Sequence, residues 1–319
     1  MLYERLVRLV GFLRCLLRLR DSRWARVLSR NSIDPSYFLS CGREGELRLR
    51  DHGITLSLAE SWAIKAFEPL MSLVTAGAAF DKTAEGSLVM RLGGLRVMAE
   101  TPQDIVTMNE ILVEGCYNFH LPDRCAVLDI GMNVGVASLF FALKDEVETV
   151  YSYELFDPTY RQAERNIELN ASLKKKIHMV NYGVGFPSRT MNLPYSYELK
   201  GSIGTNGIEP EAVLIFKSER VESRTVEVQI KDCAEVVAEV RRKAAGKELV
   251  VKMDCEGSEY EIMERLGSQG LVREVSMYII EWHKRGPKQI VEILMRHGFR
   301  VVSLNPMSHY VGMIHGSRN

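Results

Sequence analysis

The 319-residue chain has no surplus of charge, with 41 Lys+Arg against 41 Asp+Glu, so no global field marks nucleic acid as its partner. Its six cysteines (Cys15, Cys41, Cys116, Cys125, Cys233, Cys255) form no C-x-x-C pair. That spacing argues against a zinc cluster or a secreted disulfide framework and for a reducing, cytoplasmic setting. No uncharged run approaches the roughly 20 apolar residues that cross a bilayer. A signal peptide is not expected either, because Arg5, Arg8, Arg14, Arg18 and Arg20 interrupt the apolar N-terminal stretch. There is no internal repeat and no low-complexity segment.

The composition that remains is that of an ordinary globular protein, and the length suits one large domain plus an appended part. In the first twenty residues, Leu2, Leu6, Leu9, Leu13 and Leu16 share one helical face, with Arg8, Arg14 and Arg18 opposite. This predicts an amphipathic helix packed on its own domain or a second subunit, or resting peripherally on an anionic membrane. Asn31 to Gly45 reads as a loop, Glu46–Ser57 as a hairpin about Asp51-His52-Gly53, and Leu58–Gly77 as helical. Leu88–Ala99 reads as a hairpin turning at Gly93-Gly94. From the N-cap candidate Thr101, Ile105, Met108, Ile111 and Leu112 recur at helical spacing. The expected organisation is an N-terminal extension over 1–100 and an α/β domain over 101–319.

In that second part, short continuous apolar runs alternate with helical segments: Cys125–Ile130, Thr149–Tyr153, Ile177–Asn181, Leu249–Met253, Ser276–Ile280 and Arg300–Leu304. Such runs suit strands covered on both faces of a parallel, doubly wound sheet. A last run, Tyr310–Ile314, follows too closely across Asn305-Pro306 for a parallel crossover, so it should be antiparallel.

The first of these strands leads into Asp129-Ile-Gly131-Met-Asn133-Val-Gly135. Open α/β sheets bind ligands at the carboxyl ends of their strands. Gly131 permits a tight turn and Gly135 close helix packing. The pattern lacks G-x-G-x-x-G, and Asp129 would sit badly beside a pyrophosphate, which disfavours a dinucleotide oxidoreductase. A carboxylate there suits a ligand bearing an ammonium group. Glu154, ending the second strand roughly 20 residues after the glycine turn, is placed to accept two ribose hydroxyls. Together these point to S-adenosylmethionine.

Val127-Leu-Asp-Ile-Gly-Met-Asn-Val-Gly135, Tyr153-Glu154, Arg165-Asn-Ile-Glu-Leu-Asn170, Val251-Lys-Met-Asp-Cys-Glu-Gly-Ser-Glu-Tyr260 and Ile280-Glu-Trp-His283 resemble the FkbM family of methyltransferases. The resemblance covers roughly residues 100–305, and the helix from Glu110 to Tyr117 also matches. It implies a Rossmann-like class I methyltransferase fold and S-adenosylmethionine as donor. It further implies O-methylation of a hydroxyl on a sugar, glycolipid or small metabolite. Where the family often has Glu-Pro at the second strand's end, this chain has Glu154-Leu-Phe-Asp-Pro158. Phe156, and Tyr182 just after the third strand, are the candidates for the adenine wall.

Methyl transfer from a sulfonium is an in-line displacement, and an aliphatic hydroxyl gains from a base that takes its proton. Asp254 ends the fourth strand beside the glycine turn and belongs to both the cofactor and the catalytic candidates. Glu256 and His283 complete the catalytic set, and any of the three could be the base. Alternation puts Glu281 on the same side as His283. Glu259 reads as a cap or dipole partner, and Lys252, in a buried strand, as the partner of one acid. Asp254, Glu281 and His283 carry donor types that suit Mg2+ or Mn2+, although no metal is expected. The segment Tyr195–Glu209 is long and polar enough to be an acceptor-side lid or an ordinary surface loop. The competing reading is a nucleic-acid methyltransferase, against which stand the neutral charge and the absence of an N-P-P-Y motif after the fourth strand.

Overall fold

A computed structural model describes residues 2–41, 45–50, 54–208, 222–303 and 310–318. The chain divides into two compact units that meet at Glu114–Gly115.

The first unit begins with two helices, α1 (Leu2–Leu19) and α2 (Ser22–Arg30). Asp21 caps α2 by accepting from the backbone of Arg23 and Trp24. Cys15 and Leu19 of α1 are buried, whereas Leu9, Leu13 and Leu17 stand 53%, 47% and 81% exposed. Of the leucine face marked by periodicity, Leu9 and Leu13 are thus exposed and Leu16 half-buried; Leu17 lies just off that face. The rest comprises β1 (Phe38–Cys41), β2 (Leu47–Leu49), β3 (Thr55–Leu56), a 3-10 stretch Leu58–Ala66, α3 (Phe67–Thr75), β4 (Ala79–Lys82), β5 (Leu88–Leu92), β6 (Leu95–Ala99) and α4 (Pro102–Leu112). Both expected hairpins are present, β2 with β3 and β5 with β6. Each gains an unforeseen edge strand, β1 and β4, giving two three-stranded sheets. Thr101 caps α4 in a reciprocal box with Asp104. The hairpin turn expected at Asp51–Gly53 lies outside the described residues.

The second unit holds a seven-stranded sheet. Its elements in chain order are β7 (Cys125–Ile130), α5 (Val136–Leu143), β8 (Val147–Tyr153), α6 (Asp157–Glu168), α7 (Ala171–Lys174) and β9 (Ile177–Val180). After a small side sheet come α8 (Cys233–Lys243), β15 (Glu248–Met253), α9 (Glu259–Ser268), β16 (Met277–His283), α10 (Lys288–Arg296), β17 (Arg300–Ser303) and β18 (Val311–Ser317). The strand order is β17-β18-β16-β15-β7-β8-β9. All neighbours are parallel except β18, which runs antiparallel to both β16 and β17. This is the Rossmann-like class I methyltransferase sheet. The order reverses between β7 and β15, which is the switch point where ligands bind. Every residue of β7 is buried, as its continuous apolar run requires. The Asn305-Pro306 connection lies outside the described residues.

The side sheet is formed by β10 (Gly183–Gly185), β11 (Arg189–Tyr195) and β14 (Arg224–Asp232), with a two-strand ribbon of β12 (Ile203–Gly204) and β13 (Gly207–Ile208) beside it. None of these strands is marked by a continuous apolar run.

Candidate active site

At the end of β7 the chain turns at Gly131 (φ 82°) and Asn133 (φ 52°), left-handed conformations that glycine and asparagine tolerate best. Gly131 has a second constraint, since a Cβ there would lie 1.7 Å from the backbone oxygen of Asp254. The tips of β7 and β15 thus touch backbone to backbone. Gly135 (φ 88°) opens α5 and packs against Ala163 of α6, so its role is helix packing.

Asp129 departs from its expected role. It is wholly buried and does not line the cleft. The ladder places Lys252 of β15, Asp129 of β7 and Ser152 of β8 side by side in one row. Lys252 Nζ stands 3.2 Å from Asp129 Oδ1, and Ser138 Oγ donates to Asp129 Oδ2 at 2.6 Å. Lys252 also donates to the Gly131 carbonyl at 2.7 Å and lies 3.8 Å from Asp254 Oδ2. Burial alone would lower the pKa of the Lys252 ammonium, but Asp129 and Asp254 beside it raise it on balance. Asp129 is the counter-ion of a structural lysine.

A cleft opens above these strand tips, holding about 630 Å3 of space when the open solvent at its mouth is included. Gly131, Asn133, Glu154, Asp254 and Glu256 line it, five of the residues marked in the sequence. Glu154 is clamped, with Oε2 accepting the Asn133 amide and Oε1 the Phe156 amide, each at 2.9 Å. Burial pushes its pKa up to about 7, partly countered by those two amides. Each oxygen keeps a second lone pair. Asn133 Oδ1 is buried without a hydrogen-bond partner among the described residues.

Phe156 contributes its amide and not its ring, which is buried against Tyr195 in a separate cluster. Tyr182 packs on Tyr153 and beneath the Lys231 ammonium, away from the cleft lining. Leu155, Val184 and Ile230 line the cleft where those aromatics were expected. Hydrophobic patterning around Glu154 gave no means of choosing Leu155 over its neighbour.

Opposite stand the acids. Tyr117 donates to Asp254 Oδ2 at 3.2 Å. Glu256 occupies the turn at φ 53°, an uncommon conformation for a non-glycine residue and one that clusters at functional sites. Glu259, the first residue of α9, accepts from the amides of Cys255 and Gly257 in the preceding turn, and no side chain caps the helix start. Glu259 also holds His283 Nδ1 at 3.0 Å. His283 does not line the cleft, and it is 95% buried, its Nε2 lying 3.5 Å from Glu256 and 3.9 Å from both Asp254 and Glu281. Burial lowers its pKa, but Glu259, Glu256 and Asp254 outweigh that and carry it up to about 11, so it is an imidazolium near neutrality.

The lid candidate is a wall. Ile203–Gly204 pairs with Gly207–Ile208, and a Cβ on Gly204 would stand 2.3 Å from the Glu256 carbonyl oxygen. Thr205 and Ser258 hydroxyls meet at 2.9 Å. Buried Lys200, overlooked in the sequence because it precedes the glycine-rich string, lines the same side and donates to Gln162.

Residues 129–301 match the model of the methyltransferase FkbM domain, just over half of the chain. Methyltransferase sdnD of Sordaria araneosa is 26% identical over 205 residues, covering 58% of this chain and 78% of that protein. Methyltransferase 1 of Beauveria bassiana (strain ARSEF 2860) is 24% identical over 173 residues, covering 50% of this chain and 66% of that protein. The crystal structure of methyltransferase FkbM from Methylobacillus flagellatus KT aligns at 12% identity and a TM-score of 0.39. That alignment covers 65% of this chain and 47% of the other, so the chain spans just under half the length of that neighbour. On its sequence match, the chain belongs to the FkbM methyltransferase domain family.

Proposed function

We propose that the protein is an S-adenosylmethionine-dependent O-methyltransferase acting on a hydroxyl of a sugar, glycolipid or small metabolite. One observation carries the reading. Glu154 is fixed at the tip of β8 by two backbone amides, next to the orphaned Asn133 Oδ1, in the cleft that also holds Asp254 and Glu256. A carboxylate with free lone pairs suits a vicinal diol, and a buried unpaired carbonyl oxygen suits a donor such as an ammonium or hydroxyl. The residues present therefore fit the cofactor, with Leu155, Val184 and Ile230 as the apolar side for its base.

Bound S-adenosylmethionine supplies a methyl group on a positively charged sulfur. The acids at the cleft mouth favour positive charge there. Asp254 is held by Tyr117 and Lys252 on Oδ2, which turns Oδ1 toward His283. His283, already protonated, does not accept the acceptor's proton; it steadies Glu256 and Asp254 instead. The proton of the acceptor hydroxyl passes to the Asp254–Glu256 carboxylate pair. Packing of the 203–208 ribbon on Glu256 keeps water from that side.

Thermal-shift titration with S-adenosylmethionine, S-adenosylhomocysteine and NAD tests the donor. Stabilisation by the two sulfur compounds is expected; stabilisation by NAD alone would reject the reading. Transfer of a labelled methyl group to a panel of hydroxyl compounds and RNA then tests the acceptor class.

A further inference from the structure

Helix α1 is held to the first unit by one narrow face. Cys15 and Leu19, one turn apart, are buried, and Gly11 lies close to Ser29 of α2. On the far side Leu9, Val10, Leu13 and Leu17 follow the i, i+1, i+4, i+8 spacing of a single helical stripe, and all four are exposed. Arg14 and Arg18, also one turn apart, run beside that stripe and are exposed as well. We propose that this face of α1 is a docking surface for an anionic lipid bilayer, with the helix lying in the plane of the membrane interface. The proposal uses no residue of the cleft and stands apart from the methyltransferase reading.

Two observations point to lipid. The first is the apolar stripe. Single exposed hydrophobic residues need no explanation, but a contiguous row of them marks a contact surface. All four are aliphatic, whereas the hot spots of protein interfaces favour Trp, Tyr and Arg and are poor in Leu and Val. Aliphatic side chains on one face with arginines at the edge are the pattern of a helix that rests among headgroups. Arg8, Arg14 and Arg18 interrupt the apolar residues of α1, and no helix among the described residues is long and apolar enough to cross a membrane. The contact is therefore in-plane.

The second is charge. Residues 1–30 carry eight arginines against two acids, Glu4 and Asp21, within a chain whose charges balance. The positive surplus is thus confined to the segment that forms α1 and α2, where Arg8, Arg18, Arg20, Arg26 and Arg30 are exposed. Local pairing offsets part of it, since Arg14 lies 3.2 Å from Asp34 and Arg23 lies 2.8 Å from Asp21. Each arginine that comes within reach of an anionic leaflet tightens binding about fivefold, and a guanidinium grips a phosphate with two parallel hydrogen bonds. A second copy of the chain suits this face less. A twofold interface sets a patch against itself, which would bring two arginine-rich segments together.

Flotation of the purified full chain with vesicles of phosphatidylcholine, alone or with one-third phosphatidylserine, tests the surface. Binding to the mixed vesicles should be at least tenfold tighter than to phosphatidylcholine alone, and should weaken several-fold between about 0.1 M and about 1 M NaCl. Leu17→Glu, at the most exposed position of the stripe, should weaken binding at least tenfold. Arg18→Gln/Arg20→Gln should weaken it about fivefold per charge removed at low salt. Met295→Glu, the same kind of change at an exposed apolar side chain of α10, should leave it unchanged. Thermal melts confirm that each variant is folded, and the arginine pair carries the test if Leu17→Glu is not. Absence of binding to the mixed vesicles overturns the proposal, as does a loss in Met295→Glu equal to that in Leu17→Glu. Light scattering without lipid tests the other occupant: a dimer that Leu17→Glu dissociates assigns the face to a second copy and rejects the bilayer.

Discussion

Replacing Lys252 by methionine isolates the buried charge row beneath the cleft. The lysine is 2% exposed and Asp129 not at all, so neither charge is relieved by solvent. Asp129 Oδ1 makes no hydrogen bond among the described residues, and Lys252 Nζ at 3.2 Å is its cationic neighbour; Ser138 satisfies only Oδ2. With methionine in place, an uncompensated carboxylate remains in the core, and the Gly131 carbonyl loses its donor at 2.7 Å. Removing one partner of a buried pair costs about 3–5 kcal/mol. For a unit of this size that is a fall in Tm of roughly 6–20 °C. The double variant Lys252→Met/Asp129→Asn removes both charges and should recover most of the loss, because the cost lies in the orphaned charge and not in the missing attraction. Urea and thermal melts of wild type, both single variants and the double variant at neutral pH give the coupling energy. A single-variant loss below about 1 kcal/mol, or a double variant as unstable as the sum of the singles, would refute the reasoning.

Gly131→Ala brings a Cβ to 1.7 Å from the Asp254 backbone oxygen, so strand tips must part. Cofactor-induced thermal stabilisation should vanish even if the chain still folds, and a retained shift would contradict the backbone contact. Glu154, with its pKa raised by burial to about 7, binds its proton more tightly folded than unfolded. Its contribution to stability is complete below about pH 4.5 and is lost as pH rises through about 7, on the order of 3 kcal/mol in all. Glu154→Gln should flatten that limb in melts run from pH 4 to 8 while weakening S-adenosylhomocysteine binding at least tenfold; an unchanged pH profile would reject the assignment. Leu155→Ala should lower affinity for adenosine-containing ligands several-fold and Tyr182→Ala should leave it within about twofold, read by calorimetry. The reverse order would restore Tyr182 as the adenine wall.

The sheet was legible wherever burial is two-sided. The runs at Cys125–Ile130 and Leu249–Met253 are nearly unbroken apolar stretches, and both lie at the sheet centre. The side sheet escaped because its strands are covered on one face. Thr225-Val-Glu-Val-Gln-Ile-Lys-Asp232 alternates strictly, with Val228, Ile230 and Asp232 buried and the residues between them exposed, so a search for continuous runs passes over it. In the site, residues at strand tips were legible and depth along the strand was not. Asp129 and Gly131 are two positions apart, yet Asp129 is still within the ladder, opposite Lys252, while Gly131 has reached the cleft. Nothing local in the string Leu128-Asp-Ile-Gly131 states where β15 ends beside it. That partner lies more than 120 positions along the chain, and only the register of the two strands turns an acid that seemed to face the ligand into the counter-ion of a buried lysine. The same limit applies to His283. Its place at a strand end was visible, but the four carboxylates that surround it come from β16 itself, the β15 turn and the start of α9, and that convergence gives the imidazole its charge.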